Sequence, residues 1–455
     1  MTLGIDHTNN TAHGERRYRL LVAGYAISSY GTFLNMVALN LFVYETTGRA
    51  LALGLFMAVR LGAGFVAGLL AGGLLARWKA KSIMLWANVA QAAVMLLLIF
   101  APDGLRTAAL MAVSLVVGGC GTLFMVALRS SIPEMVGADR RGWANSLSIT
   151  GRSLAMVAGF ASAGVVVSLV GYTAAFVVDM TTFTVCAVTV ALLPIAGGGR
   201  GKATAPEPAE AAEEGMEQER TAEKKAVRRR TPVAFAALAA APGLGLMVAL
   251  RGVDAFGSSS HNAALPVYSS ELDASRPAVF VSAFWCLWAL GNVLAQQLIQ
   301  RYAKRTGRSV SALGFGYGTI VMSGAFILAF AGFPLAATAV VALVAGAADG
   351  LTEVSYTSHL QTLSDKLRGH AFGLSATFEN LGFGVGTILV AVALDRYSPL
   401  AVVAWSHGAA ILVAVAFVFR VVRLRSAGRA PAGRGEADAG GAHRGDRDGA
   451  EVPGS

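Results

Sequence analysis

Arg251, Asp254, Ser258 and His261 follow one another at spacings of 3, 4 and 3 in the stretch ALRGVDAFGSSSHNAALP. On a helix those spacings set the four side chains along one face. A second cluster lies in AGAADGLTEVSYTSHL, where Asp349 and Glu353 are four apart and Tyr356 continues their face. Two carboxylates this close repel when both are ionised, so the pair is suited to hold a proton between them near neutral pH. That chemistry is reversible proton or cation binding; the plainer reading is a pair neutralised by an arginine of a neighbouring helix. Arg251 and Asp254 carry the same two readings: they neutralise each other, or they line a wet cavity.

These residues matter because of what surrounds them. The chain has 455 residues, 55% of them hydrophobic and 14% charged, with a mean hydropathy of +0.58. Soluble domains run near a quarter charged, so this is a membrane composition. A charge at mid-bilayer costs roughly 2.5–3.5 kcal/mol on insertion scales and needs a partner or water. Asp254 lies about ten residues, roughly 15 Å, into its apolar run and is therefore near mid-depth.

Apolar runs of spanning length occupy residues 19–44, 51–75, 82–101, 107–130, 143–170, 172–195, 241–268, 276–300, 308–331, 334–361, 370–394 and 399–421. The fold class expected is an all-α membrane protein of twelve transmembrane helices. The first run is too long for a cleavable signal and is followed at once by another. Residues 19–195 form one six-helix bundle and 233–424 a second. Between them, 196–232 is a charged Ala/Glu/Lys-rich linker without the apolar residues a core needs. Residues 1–18 and 425–455 read as disordered ends.

With the N-terminus placed in the cytoplasm, 29 of the 37 Lys and Arg fall on the inner side. Arg49, Arg106, Arg276 and Arg396 are outer, and Arg60, Arg129, Arg152 and Arg251 lie within spans. This bias places both termini inside. The net charge of +10 thus reflects topology and some attraction to anionic headgroups, and nucleic acid is not needed as a partner. Cys120, Cys186 and Cys286 sit far apart in apolar runs and read as small buried hydrophobes. No metal-ligand spacing, nucleotide loop or nucleophile elbow is present, which argues against an enzyme, and no cofactor is implied.

The chain also repeats itself. DRRGWANSL at Asp139 and DKLRGHAFGL at Asp365 place Arg141-Gly142 and Arg368-Gly369 at an offset of 227. LFVYE and LPVYS, and RWKAK and RYAKR, recur at 224, and Gly159 and Gly386 keep 227. Two pseudo-symmetric halves, each starting on the same side, are parallel repeats that enclose a site near the midplane. Offset 227 also matches Arg152 with Glu379, opposite charges at equal depth. They either pair across the halves or are neutralised separately, with Asn380 extending the polar patch.

At this point the chain resembles the major facilitator superfamily over residues 18–424. SIPEMVGADRRGWANSL, GYTAAFVVDMTTF and VALNLFVYETTGRALALGLFMAVRLGAG are similar to a branch holding siderophore exporters and macrolide-type efflux proteins. The resemblance implies a proton-driven exporter of small amphipathic compounds that acts as a monomer. Three positions depart from the pattern. Ala76 replaces an acid in GGLLARWKAK, Phe160 follows Gly159 where antiporters often carry proline, and Thr32 follows Gly31 where the branch often has an acid.

The candidates for proton coupling are Asp254, Asp349, Glu353 and Glu379. Those for the substrate cavity are Asn35, Arg60, Arg152, Arg251, Ser258, His261, Tyr356 and Asn380. Arg77, Lys81, Arg141, Arg301, Arg305 and Arg368 belong to the inner gate. Arg60 either lines the cavity or pairs with Asp179, and Arg129 is expected to snorkel to the interface. Asn35, on a stripe with Ser28 and Thr32, either meets substrate or bonds to a neighbouring helix. Export of an amphipathic compound is the leading reading. Import or facilitated passage of a polar solute, and a non-transporting membrane sensor or scaffold, remain the alternatives.

Overall fold

The structure, a computed structural model, describes residues 3–137, 139–194, 243–307 and 310–427. The expected linker at 196–232 and most of the tail at 425–455 lie outside the described residues. Twelve long helices follow one another: α1 (Leu3–Thr47), α2 (Ala50–Arg77), α3 (Ala80–Ile99), α4 (Arg106–Val136), α5 (Arg141–Val170), α6 (Tyr172–Leu192), α7 (Leu244–Leu272), α8 (Pro277–Thr306), α9 (Ala312–Ala329), α10 (Leu335–Gln361), α11 (Asp365–Leu394) and α12 (Pro399–Ala427). Each expected span coincides with one of them. The joints are short; Gly171 (φ 97°) and Gly307 (φ 67°) end α5 and α8 in the left-handed region that glycine reaches without strain.

Eleven of these helices are long and apolar enough to cross a membrane. The exception is α7, whose polar run around Arg251 and His261 lowers its hydropathy. It compensates by burial: Asp254, Ser259, Ser260 and His261 are all buried inside the bundle rather than turned to lipid. Elsewhere large apolar side chains such as Leu169, Leu192 and Leu412 are exposed around the outside. A bilayer, not water, matches such a surface. This is a multi-pass membrane protein.

One sequence expectation is overturned at the N-terminus. Residues 3–18, expected to be disordered, continue α1 as helix. The anchors are mainly tertiary: Glu15 bridges Arg140 at 3.0 Å besides its neighbour Arg19 at 3.6 Å, and the fully buried Tyr18 hydroxyl lies 2.7 Å from Ser148 Oγ of α5.

The repeat read from sequence is a repeat of packing. α1 packs on α5 and α6 as α7 packs on α11 and α12. α3 packs on α4 and α6 as α9 does on α10 and α12, and α2 on α4 as α8 on α10. Close approaches recur with it. Gly118 lies against the backbone carbonyl of Arg60, and Gly346 against that of Trp288, both displaced by 228 positions. Gly159 and Gly386 both face the first helix of their own half, at Tyr30 and Phe256.

The halves meet through α5 with α8 and α2 with α11. Among the described residues, the hydrogen bonds joining them cluster at one end, the distal end, where α1 passes into α2. There Gly164 N donates to Ser282 Oγ at 2.8 Å, Ser282 Oγ donates to the Phe160 carbonyl, and Ala50 N donates to Asp395 Oδ1 at 3.2 Å. Small residues allow the approach: a Cβ on Gly54 would collide with Ala391.

Candidate functional site

Arg251 projects from α7 toward α10 and α11. Its Nη2 donates to Glu353 Oε2 at 2.8 Å and to Glu379 Oε1 at 2.9 Å. Its Nη1 lies 4.0 Å from Asp254 Oδ2, so the same-helix pair expected from spacing is the longest of the three. The guanidinium also sits 5.3 Å from the Tyr356 ring centroid, and the Tyr356 hydroxyl bonds Ser375 of α11. One arginine therefore ties three helices of the second half, with Glu353 and Glu379 each nearly half exposed.

The Asp349–Glu353 pair divides between two partners. Glu353 turns to Arg251, while Asp349 Oδ2 accepts from Asn292 Nδ2 of α8 at 2.8 Å. Gln296 Nε2 completes the chain by donating to Asn292 Oδ1 at 2.7 Å. Three carboxylates (Asp254, Glu353 and Glu379) thus lie within 4.0 Å of one guanidinium, and Asp349 stands one turn before Glu353 on α10. Asp254 Oδ1 has no hydrogen-bond partner.

Arg152 does not meet Glu379. Its guanidinium lies 5.2 Å from the Phe33 ring centroid, and Glu379 is held by Arg251 within its own half. Arg60 does not pair with Asp179 either: among the described residues no carboxylate lies within 4 Å of Arg60. Asp179 Oδ2 instead accepts from Asn35 Nδ2 at 2.6 Å. Asn35 is buried on that contact and on Met95 Sδ at 3.5 Å, so it is turned away from any substrate.

Between the halves lies a cavity of about 900 Å³. Most of its wall comes from α1, α2 and α4, with Asn262, Asn380 and Phe383 from the second half. Of the expected cavity residues, Arg60, Arg152 and Asn380 line it, together with Ser28 and Thr32. Arg129, expected to snorkel to the interface, lines it too. Arg251, Ser258, His261 and Tyr356 do not belong to this wall. Among the described residues no aspartate or glutamate does.

His261 serves a different network. Its Nδ1 lies 3.0 Å from His407 Nε2, and His407 Nδ1 lies 3.1 Å from Ser323 Oγ. His261 also stacks on Phe326, with ring centroids 3.5 Å apart and planes 4° from parallel. The chain ties α7, α12 and α9 in a fully buried position. Ser258 lies a turn earlier and offers its carbonyl to Asn262 Nδ2 at 2.8 Å. Sequence reasoning missed His407, although a lone histidine in the apolar run VAWSHGAAIL was the available signal.

At the other, proximal end, Arg77, Arg141, Arg301 and Arg305 are exposed, and no ion pair engages them among the described residues. Lys81 is engaged locally. Its Nζ donates to the carbonyls of Ala191 and Leu193, both at 2.8 Å, and so caps the C-terminus of α6. Arg368 is half-buried near the start of α11. The bundle is thus bonded across the halves at its distal end, with free cations at its proximal end and a polar, aromatic-lined chamber between.

Known proteins share this arrangement. The nucleoside transporter NupG superposes with a TM-score of 0.64 at 14% identity, covering 90% of this chain and 99% of its own. A peptide transporter POT in complex with sulfate gives 0.66 at 14%, covering 90% and 95%. A POT family transporter in complex with a thioalcohol conjugated peptide gives 0.65 at 11%, covering 90% and 96%. At these identities the likeness is one of fold. No curated protein sequence matches the chain. Residues 21–387 match the Major Facilitator Superfamily, and with two six-helix halves packed alike, the chain belongs to that superfamily as a membrane transporter and not an enzyme.

Proposed function

We propose that this protein is a secondary active exporter of a small amphipathic compound, driven by the proton gradient through alternating access. The observation that carries the reading is the sharing of Arg251 by Glu353 and Glu379, with Asp254 at 4.0 Å. Protonating either glutamate removes one arm of a clamp that ties α7 to α10 and α11. Proton binding thereby changes which helices of the second half are held together, as coupling requires. Asp349, on the same face as Glu353 and held by Asn292, is a further proton acceptor that the coupling requires.

In this reading the protein sits in a bacterial plasma membrane, and the basic bias of the sequence supports a cytoplasmic proximal end with both termini inside. The bonded distal end is then external, and the chamber belongs to an inward-facing state able to load substrate from the cytoplasm. Free Arg77, Arg141, Arg301 and Arg305 fit an inner gate that is not engaged. The resemblance to the siderophore-export and macrolide-efflux branch supports the outward direction and a monomer.

A second reading, passage of a polar solute without proton antiport, draws on Thr32, Ala76 and Phe160, which stand where branch members often carry acids or proline. Flux in inverted vesicles with an imposed pH gradient separates the two. Accumulation that vanishes with a protonophore supports antiport; accumulation that survives it overturns proton coupling.

A further inference from the structure

Three guanidiniums, Arg60, Arg129 and Arg152, enter the same chamber of about 900 Å³, and no aspartate or glutamate among the described residues shares its wall. None of the three has a carboxylate within salt-bridge distance among the described residues. The contrast with Arg251, which two carboxylates hold at 2.8 and 2.9 Å, is direct. The acids of the second half are engaged on Arg251 and Asn292; in the first half Asp179, beyond 4 Å, offsets Arg60 in part, so the net charge facing the chamber is positive. A cationic wall inside a low-dielectric bundle attracts and concentrates anions, and guanidinium forks bind carboxylate and phosphate oxygens through paired, charge-assisted bonds. Around them lie Phe33, Phe56, Phe124 and Phe183, with Met57 and Met125 as adaptable apolar contacts.

We infer that the substrate is an amphipathic anion: an acidic group, carboxylate, phosphate or sulfonate, on an aromatic or apolar body of drug-like size. Arg60, Arg129 and Arg152 bind its acidic end, and the phenylalanines and methionines of α1, α2, α4 and α6 hold its body. Arg152, whose guanidinium rests on Phe33 with no carboxylate partner among the described residues, is released to the anion at little cost. This rests on the chamber being the transport site. It concerns what binds there and is independent of the driving ion.

The test uses two xanthene dyes of similar size and opposite charge, fluorescein as the anion and rhodamine 6G as the cation. Equilibrium binding to the purified full-length protein is measured in neutral detergent at one pH. Without a gradient, the result does not depend on proton coupling, whose failure would show only in the vesicle flux. Fluorescein is expected to bind at least about tenfold tighter than rhodamine 6G. Arg60→Gln and Arg152→Gln should each weaken fluorescein about tenfold, while Arg152→Lys keeps the preference. Arg106→Gln, at the distal surface beside Asp103, should leave it unchanged. Displacement of fluorescein by phosphatidylglycerol but not phosphatidylcholine assigns the acidic group to a lipid headgroup; displacement by neither assigns it to a soluble compound. Equal or tighter binding of rhodamine 6G overturns the inference, as does wild-type fluorescein affinity in the two glutamine variants.

Discussion

Arg251 and Glu379 stand 2.9 Å apart, yet Arg152, which occupies the position of Glu379 in the first half, has only the face of Phe33 beneath it. The repeat has preserved depth and exchanged charge. In the second half a cation on the first helix meets an anion on the fifth, while in the first half the fifth helix presents an unpaired cation to the chamber. The two halves therefore divide the work: one gathers carboxylates around a single arginine, and the other leaves arginines free.

Breaking the Arg251 clamp should show which partner matters for folding and which for coupling. Arg251→Leu leaves Glu353, Glu379 and the buried Asp254 without their cation; water relieves the half-exposed glutamates, so the loss falls mainly on Asp254 and should be about 1–3 kcal/mol. A clear fall in Tm in detergent is expected. Glu353→Gln and Glu379→Gln each leave the arginine its other glutamate, so their Tm should stay near wild type while gradient-driven flux is lost. Normal driven flux in both glutamine variants would remove the clamp from the mechanism.

Asp349 offers a sharper separation, because its partner is an amide. Asp349→Asn keeps the shape and can still bond Asn292, so expression and Tm should hold while proton-driven transport disappears. Asn292→Leu strands the carboxylate and should lower stability by about 1–3 kcal/mol. If Asp349→Asn transports as wild type under an imposed pH gradient, proton coupling passes through other residues.

How far these features were legible depends on their range. Spans, halves and the α7 cluster are local patterns of hydropathy and spacing, so they could be read from the chain itself. The partners could not. Spacing pointed Arg251 at Asp254, three residues away, and Glu353 at Asp349. The packed bundle instead offered each a shorter contact from a helix distant in sequence, at Glu379 and across to Arg251. Arg129 was read from its nearness to a helix end, and that it also lines the chamber depends on the packing of other helices around α4. Residues 3–18 looked disordered because their composition is polar, whereas the bonds from Glu15 to Arg140 and from Tyr18 to Ser148 are tertiary.

The buried pair in the first half makes a stability prediction independent of transport. Among the described residues Asp179 Oδ1 and Asn35 Oδ1 both lack hydrogen-bond partners, and the 2.6 Å bond between the two side chains is the direct contact that holds Asp179, with Arg60 beyond 4 Å. Asp179→Asn removes a buried charge at constant volume and should change stability by less than about 1 kcal/mol. Asn35→Leu leaves the carboxylate unsatisfied and should cost about 1–3 kcal/mol. Equal losses in thermal melts of the two variants would contradict the assignment.

The distal contact can be wedged. Gly164 has room for no side chain: a Cβ there would lie 2.8 Å from Ser282 Cβ and 3.0 Å from the Ala278 carbonyl. Gly164→Val must push α5 from α8 and weaken the bond from Gly164 N to Ser282 Oγ, one of the few joining the halves. In an alternating-access protein, loosening this end shifts the population toward the state open there. Thr32→Cys, on the chamber wall, reports the shift once Cys120, Cys186 and Cys286 are replaced by alanine. Labelling of whole cells by a membrane-impermeant maleimide should rise severalfold in the Gly164→Val protein over the Gly164 parent. Unchanged labelling of a protein with a wild-type melting curve would mean that the α5–α8 contact does not close the chamber on that side.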